Sequence, residues 1–153
     1  MEIVDLLTAD NVLADFKASS KKQAIQSLAK HLAQQHSVSE RTIFASLLDR
    51  EKLGSTGVGK GVAIPHARIE GLDRITGLFA HLSSPIDFES VDDHPVDLIF
   101  MLLAPVEGSA DHLKALARVS RLLRDEKTCE KLRKTTDSAA LYAMLASPIS
   151  VAA

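Results

Sequence analysis

A single cysteine, Cys129, stands among 153 residues, so neither an intrachain disulfide nor a thiolate metal cluster can form. That scarcity fits a reducing compartment. Charge of one sign is lacking too. Lys and Arg number 18 against 20 Asp and Glu, and the net charge of −2 gives no electrostatic case for nucleic acid or an anionic membrane as main partner. No hydrophobic run is long: Leu98 to Ala104 falls far short of the roughly 20 residues a membrane helix needs. The opening MEIVDLLTAD is acidic and has no basic start of the kind a signal peptide requires. These absences predict a cytoplasmic protein with no direct membrane insertion. Internal repeats and a dividing linker are also missing, which predicts one domain.

What is present suits a globular core. The hydrophobic fraction is 46% and the charged fraction 25%, as in ordinary soluble domains of this size. Residues 3–7 read as one helical turn, and Val12, Ala14 and Phe16 alternate as in a short strand. Ser20 and Gln23 have the form of a capping box ahead of a helix over 21–35. Ser39 caps a second helix, with Ile43, Phe44, Leu47 and Leu48 as its apolar stripe and Gly54 just beyond its end. ITGLFAHL (75–82) and VDLIFMLLA (96–104) read as strands, the second apolar on both faces and therefore central. The segment between them carries turn chemistry. Ser109 is placed to cap a helix with Leu113, Leu116, Ala117, Val119 and Leu123 as its stripe. Short helices near 127–134 and 138–146 follow. The expected fold is α/β: one layered domain over 1–147, a mixed sheet of about five strands flanked by helices, and a frayed tail over 148–153.

The most unusual stretch is GSTGVGKGVAIPHA, Gly54 to Ala67. Four glycines in eight positions require left-handed backbone or a very close approach. Pro65 then stiffens the chain and biases Ile64 toward an extended conformation, so His66 leaves a rigid segment aimed at a surface site. GSTGVGKG matches a phosphate-binding P-loop at all but its last position, where Gly61 replaces the Mg²⁺-binding Ser or Thr. The context fails as well, because a charged helix end precedes the loop and an apolar run closed by proline follows it. Nucleotide binding is therefore set aside.

Metal binding finds little support. His31 and His36 have a four-residue gap but no fitting cysteine or acidic partner, and His81 and His94 are isolated. All four read as ordinary polar histidines, and no metal or cofactor is expected. His112 differs. It stands in the first turn of its helix, where the dipole favours an anion and disfavours imidazolium. Arg50, in the last turn before the glycine stretch, brings a permanent cation suited to phosphate oxygens. A neutral nucleophile (His66), a second imidazole (His112) and a guanidinium (Arg50) form the candidate site.

At these residues EKLGSTGVGKGVAIPHA resembles the active-site signature of the type 2 (fructose/mannitol-like) IIA proteins of the bacterial phosphoenolpyruvate:sugar phosphotransferase system. Every signature position is filled, from Glu51 through Val58, Gly59, Val62, Ala63, Ile64 and Pro65 to His66 and Ala67. The likeness extends to the LLDRE stretch carrying Arg50, to PVDLIFMLLAP and to HLKALARVSRLL. Ala67 replaces a glycine often found after the histidine. The size of the chain and its opening MEIVDLLTADNVLADF are most similar to the stand-alone nitrogen-regulatory branch, with no IIB or IIC segment expected.

The resemblance implies a phosphotransferase component, a phosphohistidine carrier. His66 would accept a phosphoryl group on Nε2 from an HPr-like phosphocarrier protein, with His112 stabilising the group and Arg50 offsetting its charge. It would pass the group to a sugar-specific IIB domain, or its phosphorylation would decide which regulatory targets it contacts. A pure interaction module is the competing class.

Overall fold

The computed structural model describes residues 1–107 and 110–147. The proposed cap Ser109 and the tail over 148–153 lie outside the described residues.

The sheet is built on β6 (Val96–Pro105), whose side chains are apolar on both faces. Leu98, Phe100 and Leu102 enter one core; Ile99, Met101 and Leu103 enter the other. Each such fully buried side chain contributes about 1.5–3 kcal/mol, which puts this strand in the middle of the molecule. β5 (Thr76–Ile86) runs antiparallel along one edge of β6, and β1 (Val12–Phe16) lies parallel outside β5. The other edge of β6 takes β3 (Val62–Ala63) and then β4 (His66–Ile69), both parallel to it. β2 (Gly57–Gly59) closes that side, antiparallel to β3. The sheet thus has six strands rather than about five, because the glycine-rich stretch supplies three short ones.

β3 and β4 are one edge interrupted at a proline. Ala63 lies opposite Ile99 and His66 opposite Leu102, so the register is the same on both sides of the break. Pro65 has no N–H to give, but its carbonyl accepts from the Leu102 amide at 2.9 Å and keeps the ladder closed.

Helices cover both faces. α1 (Lys21–Ala33) and α2 (Glu40–Lys52) pack Ala24, Ile25, Leu28, Ile43 and Leu47 onto one of them. The Ser20 hydroxyl accepts from the Gln23 amide at 3.1 Å, while the Gln23 side chain bonds the Ser19 amide, so the expected capping box is shifted by one residue. The Ser39 hydroxyl accepts from the Thr42 amide at 3.1 Å. α3 (Ala110–Arg124), α4 (Glu126–Arg133) and α5 (Ser138–Ala146) cover the other face. The N-terminal segment folds as two 3-10 turns, Ile3–Asp5 and Ala9–Asn11. Among the described residues no helix is long and apolar enough to cross a membrane.

Two expectations change on folding. The buried stripe of α3 is His112, Ala115, Val119, Leu122 and Leu123, while Leu113 is 65% exposed. Spacing fits both stripes at the helix start; the sheet selects the one that carries the histidine. The glycine run, in turn, is a hairpin. Lys60 (φ 57°) and Gly61 (φ 81°) are the two-residue turn between β2 and β3, the left-handed pair that matches strand twist. The P-loop likeness comes from this turn.

Candidate functional site

The site forms where the end of α2, the start of β4 and the first turn of α3 meet. His66 opens β4, and its Nδ1 lies 2.8 Å from the carbonyl oxygen of Ile64. A carbonyl oxygen only accepts, so Nδ1 carries the ring proton and Nε2 keeps its lone pair. That lone pair accepts from Nε–H of Arg50 at 3.3 Å. The same guanidinium donates through Nη1 to the Gly54 carbonyl at 2.9 Å, which fixes it over the helix end.

His112 comes from the other side. Its ring centroid is 5.8 Å from that of His66, the planes tilted by 49°. It is buried, and its Nδ1 has no hydrogen-bond partner among the described residues. His66, His112 and Arg50 therefore share one open cleft of about 450 Å³, completed by Ser46, Asp49, Leu53, Ala67 and Arg68. No glycine is among these lining residues. The glycine hairpin instead points its tip at Asp97 and Arg133, where a Cβ on Gly61 would lie 2.5 Å from the Arg133 guanidinium.

Burial pushes the His66 pKa below 6.5; the Ile64 carbonyl opposes this, Arg50 reinforces it and Glu51 opposes it. The His112 pKa is lowered by burial first, then by the charge of Arg68 and by His66. Both rings are neutral near pH 7. The cleft thus offers a neutral imidazole with an available lone pair beside fixed positive charge, an arrangement that receives an electrophilic anion such as a phosphoryl group.

Arg68 is the cleft cation that sequence reasoning missed. β4 alternates half-buried His66, buried Ala67, exposed Arg68 and buried Ile69, so Arg68 shares the face of His66. Strand alternation two residues past the histidine was the available signal. The remaining histidines go elsewhere. His31 Nε2 is 2.8 Å from the Asp10 carbonyl, His81 Nδ1 is 3.2 Å from that of Thr135, and His94 sits beside Asp92. Among the described residues no three His, Cys, Asp or Glu side chains gather as a metal site would require.

Residues 5–147 match the family described as "Phosphoenolpyruvate-dependent sugar phosphotransferase system, EIIA 2". The chain belongs to this family. It is similar to a "Nitrogen regulatory protein" of Bradyrhizobium diazoefficiens, with 54% identity over 153 residues and full coverage of both chains. Among solved structures, nitrogen regulatory protein IIA-Ntr from Neisseria meningitidis superposes with a TM-score of 0.89 at 34% identity, covering 94% of this chain and 98% of that one. IIA mannitol from Escherichia coli superposes with a TM-score of 0.78 at 25% identity, over 92% and 99%. The α/β layers described above are therefore those of the EIIA fold.

Proposed function

We propose that this EIIA protein is a phosphocarrier in which Nε2 of His66 takes a phosphoryl group from a phosphohistidine on an HPr-like carrier. The observation behind the reading is the unprotonated Nε2 lying 3.3 Å from Nε of Arg50, with the His112 ring centroid 5.8 Å away. As the P–Nε2 bond forms, the P–N bond to the donor ring breaks and its electron pair returns to the donor nitrogen. Nδ1 keeps its proton, and the Ile64 carbonyl stabilises the positive charge the ring acquires. The Arg50 Nε–H turns from the nitrogen lone pair to the incoming oxygens. His112, neutral, donates a hydrogen bond to the same group. Such a loose transition state needs mainly positioning and charge, which these side chains supply.

The likeness to nitrogen regulatory proteins favours a regulatory role in the cytoplasm. A phosphoryl group adds about −1.5 to −2 charge to the cleft and so changes which protein surfaces it accepts. The likeness to a mannitol IIA keeps a transport role as the second reading.

The experiment is reconstitution with phosphoenolpyruvate, Enzyme I and an HPr-like carrier, followed by intact-mass spectrometry under mildly alkaline handling. The wild type gains one phosphoryl group and His66→Ala gains none; normal labelling of that variant overturns the assignment. Phosphoprotein is then offered a sugar-specific IIB domain. Persistence supports regulation, and rapid discharge supports transport.

A further inference from the structure

Behind the glycine hairpin lies a buried carboxylate that the mechanism above does not use. The Glu51 side chain is 5% exposed and pairs with Lys21 Nζ at 3.0 Å. Lys21 is itself largely covered, 5.0 Å from the centre of the Phe88 ring and 3.1 Å from Glu89. Glu51 also accepts twice from Thr56, from its amide at 3.0 Å and from its hydroxyl. Thr56 is buried as well, and its carbonyl accepts from the Ile64 amide at 3.0 Å. Ile64 in turn presents the carbonyl that holds Nδ1–H of His66 at 2.8 Å.

We infer that Glu51 is a positioning residue for His66: its carboxylate, countered by Lys21, holds Thr56, Thr56 holds Ile64, and Ile64 fixes the tautomer and tilt of the ring. The inference rests on the reading of His66 as phosphoryl acceptor. The neighbouring Arg50 is placed separately, by backbone bonds at the end of α2: the Glu51 backbone carbonyl accepts from the Gly54 amide at 3.0 Å, and the Gly54 carbonyl accepts from Arg50 at 2.9 Å. The carboxylate itself acts on the His66 side alone, through Thr56 and Ile64. Stability alone is a weak reason for such a pair, because apolar residues of similar volume usually hold a core as well as a buried ion pair does. A position that must be held to a fraction of an ångström is a better one, since a shift of about 1 Å in a reacting group can cost about 10²-fold in rate.

The charged and titratable groups around His66 are Asp49 and Arg50 from α2, His112 from α3, and Glu51 beyond Arg50; Arg68 shares its strand face. Loss of the Glu51 charge lowers the His66 titration midpoint through space in either role, so the tautomer and the split between kcat and KM are what separate positioning from packing.

The test compares the full chain with Glu51→Gln, which keeps shape and one acceptor, and with the double variant Lys21→Met/Glu51→Leu, which replaces the ion pair by an apolar one. Imidazole ¹⁵N spectra read the tautomer and titration of His66. Phosphoryl uptake from phosphorylated HPr-like carrier reads kcat and KM. The expected result for the double variant, in which the Thr56 amide and hydroxyl are left unpaired, is a lowered Tm with the fold retained, loss of the single Nδ1–H tautomer, and kcat lower by about 10²-fold with KM unchanged. Glu51→Gln shows the lowered His66 midpoint with a smaller loss of rate. A folded double variant with wild-type kcat and an unchanged His66 tautomer overturns the inference. If the wild type takes up no phosphoryl group at all, the proposed function falls, and the ¹⁵N spectra still decide whether Glu51 fixes the ring.

Discussion

Nε of Arg50 lies 3.3 Å from Nε2 of His66, on the lone-pair side of that nitrogen, where the proposed transfer would bring a phosphorus atom. At rest the guanidinium caps this nitrogen; in the proposed transfer it has to turn aside and bind oxygen instead. Its second anchor, the Gly54 carbonyl at 2.9 Å, keeps it close while it turns.

Removing that group separates chemistry from folding. Arg50→Ala loses two hydrogen bonds, to Gly54 and to His66, each worth about 1 kcal/mol, so the fold persists with a lower Tm. Phosphoryl uptake falls by about 10²–10³-fold, the usual effect of deleting one preorganised donor. Arg50→Lys recovers part of the rate, since it keeps the charge but not the planar fork. Rapid-quench labelling measures both; an Arg50→Ala variant that unfolds shows the residue to be structural.

His112→Ala leaves carrier binding intact and slows transfer by about 10²-fold. The ring is buried, so its truncation also destabilises by about 1–3 kcal/mol. His112→Gln, which keeps a donor, recovers rate beyond what it recovers in stability. Denaturant melts set beside single-turnover labelling separate the two effects.

Acid should weaken the protein before it changes the charge of the site. Burial holds the folded pKa values of His66 and His112 below 6.5, so neither group affects stability while both folded and unfolded rings are neutral. As pH falls through 6.5 the unfolded chain takes up protons that the folded one refuses, and stability declines until the lowered folded values are reached. Phosphoryl uptake stays flat above 6.5 and drops only below it. Ring-proton NMR titration and pH-dependent melts check this; midpoints at or above 6.5 contradict it.

Gly61→Ala tests whether the glycine run is a hairpin or a phosphate cradle. At φ 81° and with Arg133 2.5 Å from the added Cβ, the variant loses about 1–3 kcal/mol. The turn is outside the cleft, so the folded variant is phosphorylated at the wild-type rate. Loss of labelling with retained stability argues for a direct role of the loop.

Much of the fold was legible because some segments state their environment locally. A strand apolar on both faces, such as Leu98–Leu103, can only be central, and Ser39 ahead of an amphipathic run can only start a helix. The glycine stretch was not legible in the same way. Its residues allow a loop, a P-loop or a hairpin, and only Asp97, Asp92 and Arg133, distant in sequence, make the turn at Lys60–Gly61 the outcome. The α3 stripe was ambiguous for the same reason, with Leu113 and His112 adjacent and the sheet choosing between them.

By itself the sequence determined the signature around His66 and the helix that carries Arg50 in its last turn. Those follow from neighbouring residues, which act on one another whatever the rest of the chain does. The tertiary structure alone decided that His112 faces His66 at 5.8 Å, that Arg68 enters the cleft, and which ring nitrogen bears the proton. The reason is physical: each depends on β4 lying in register beside β6 and on α3 folding back from the end of β6, contacts between segments far apart in the chain.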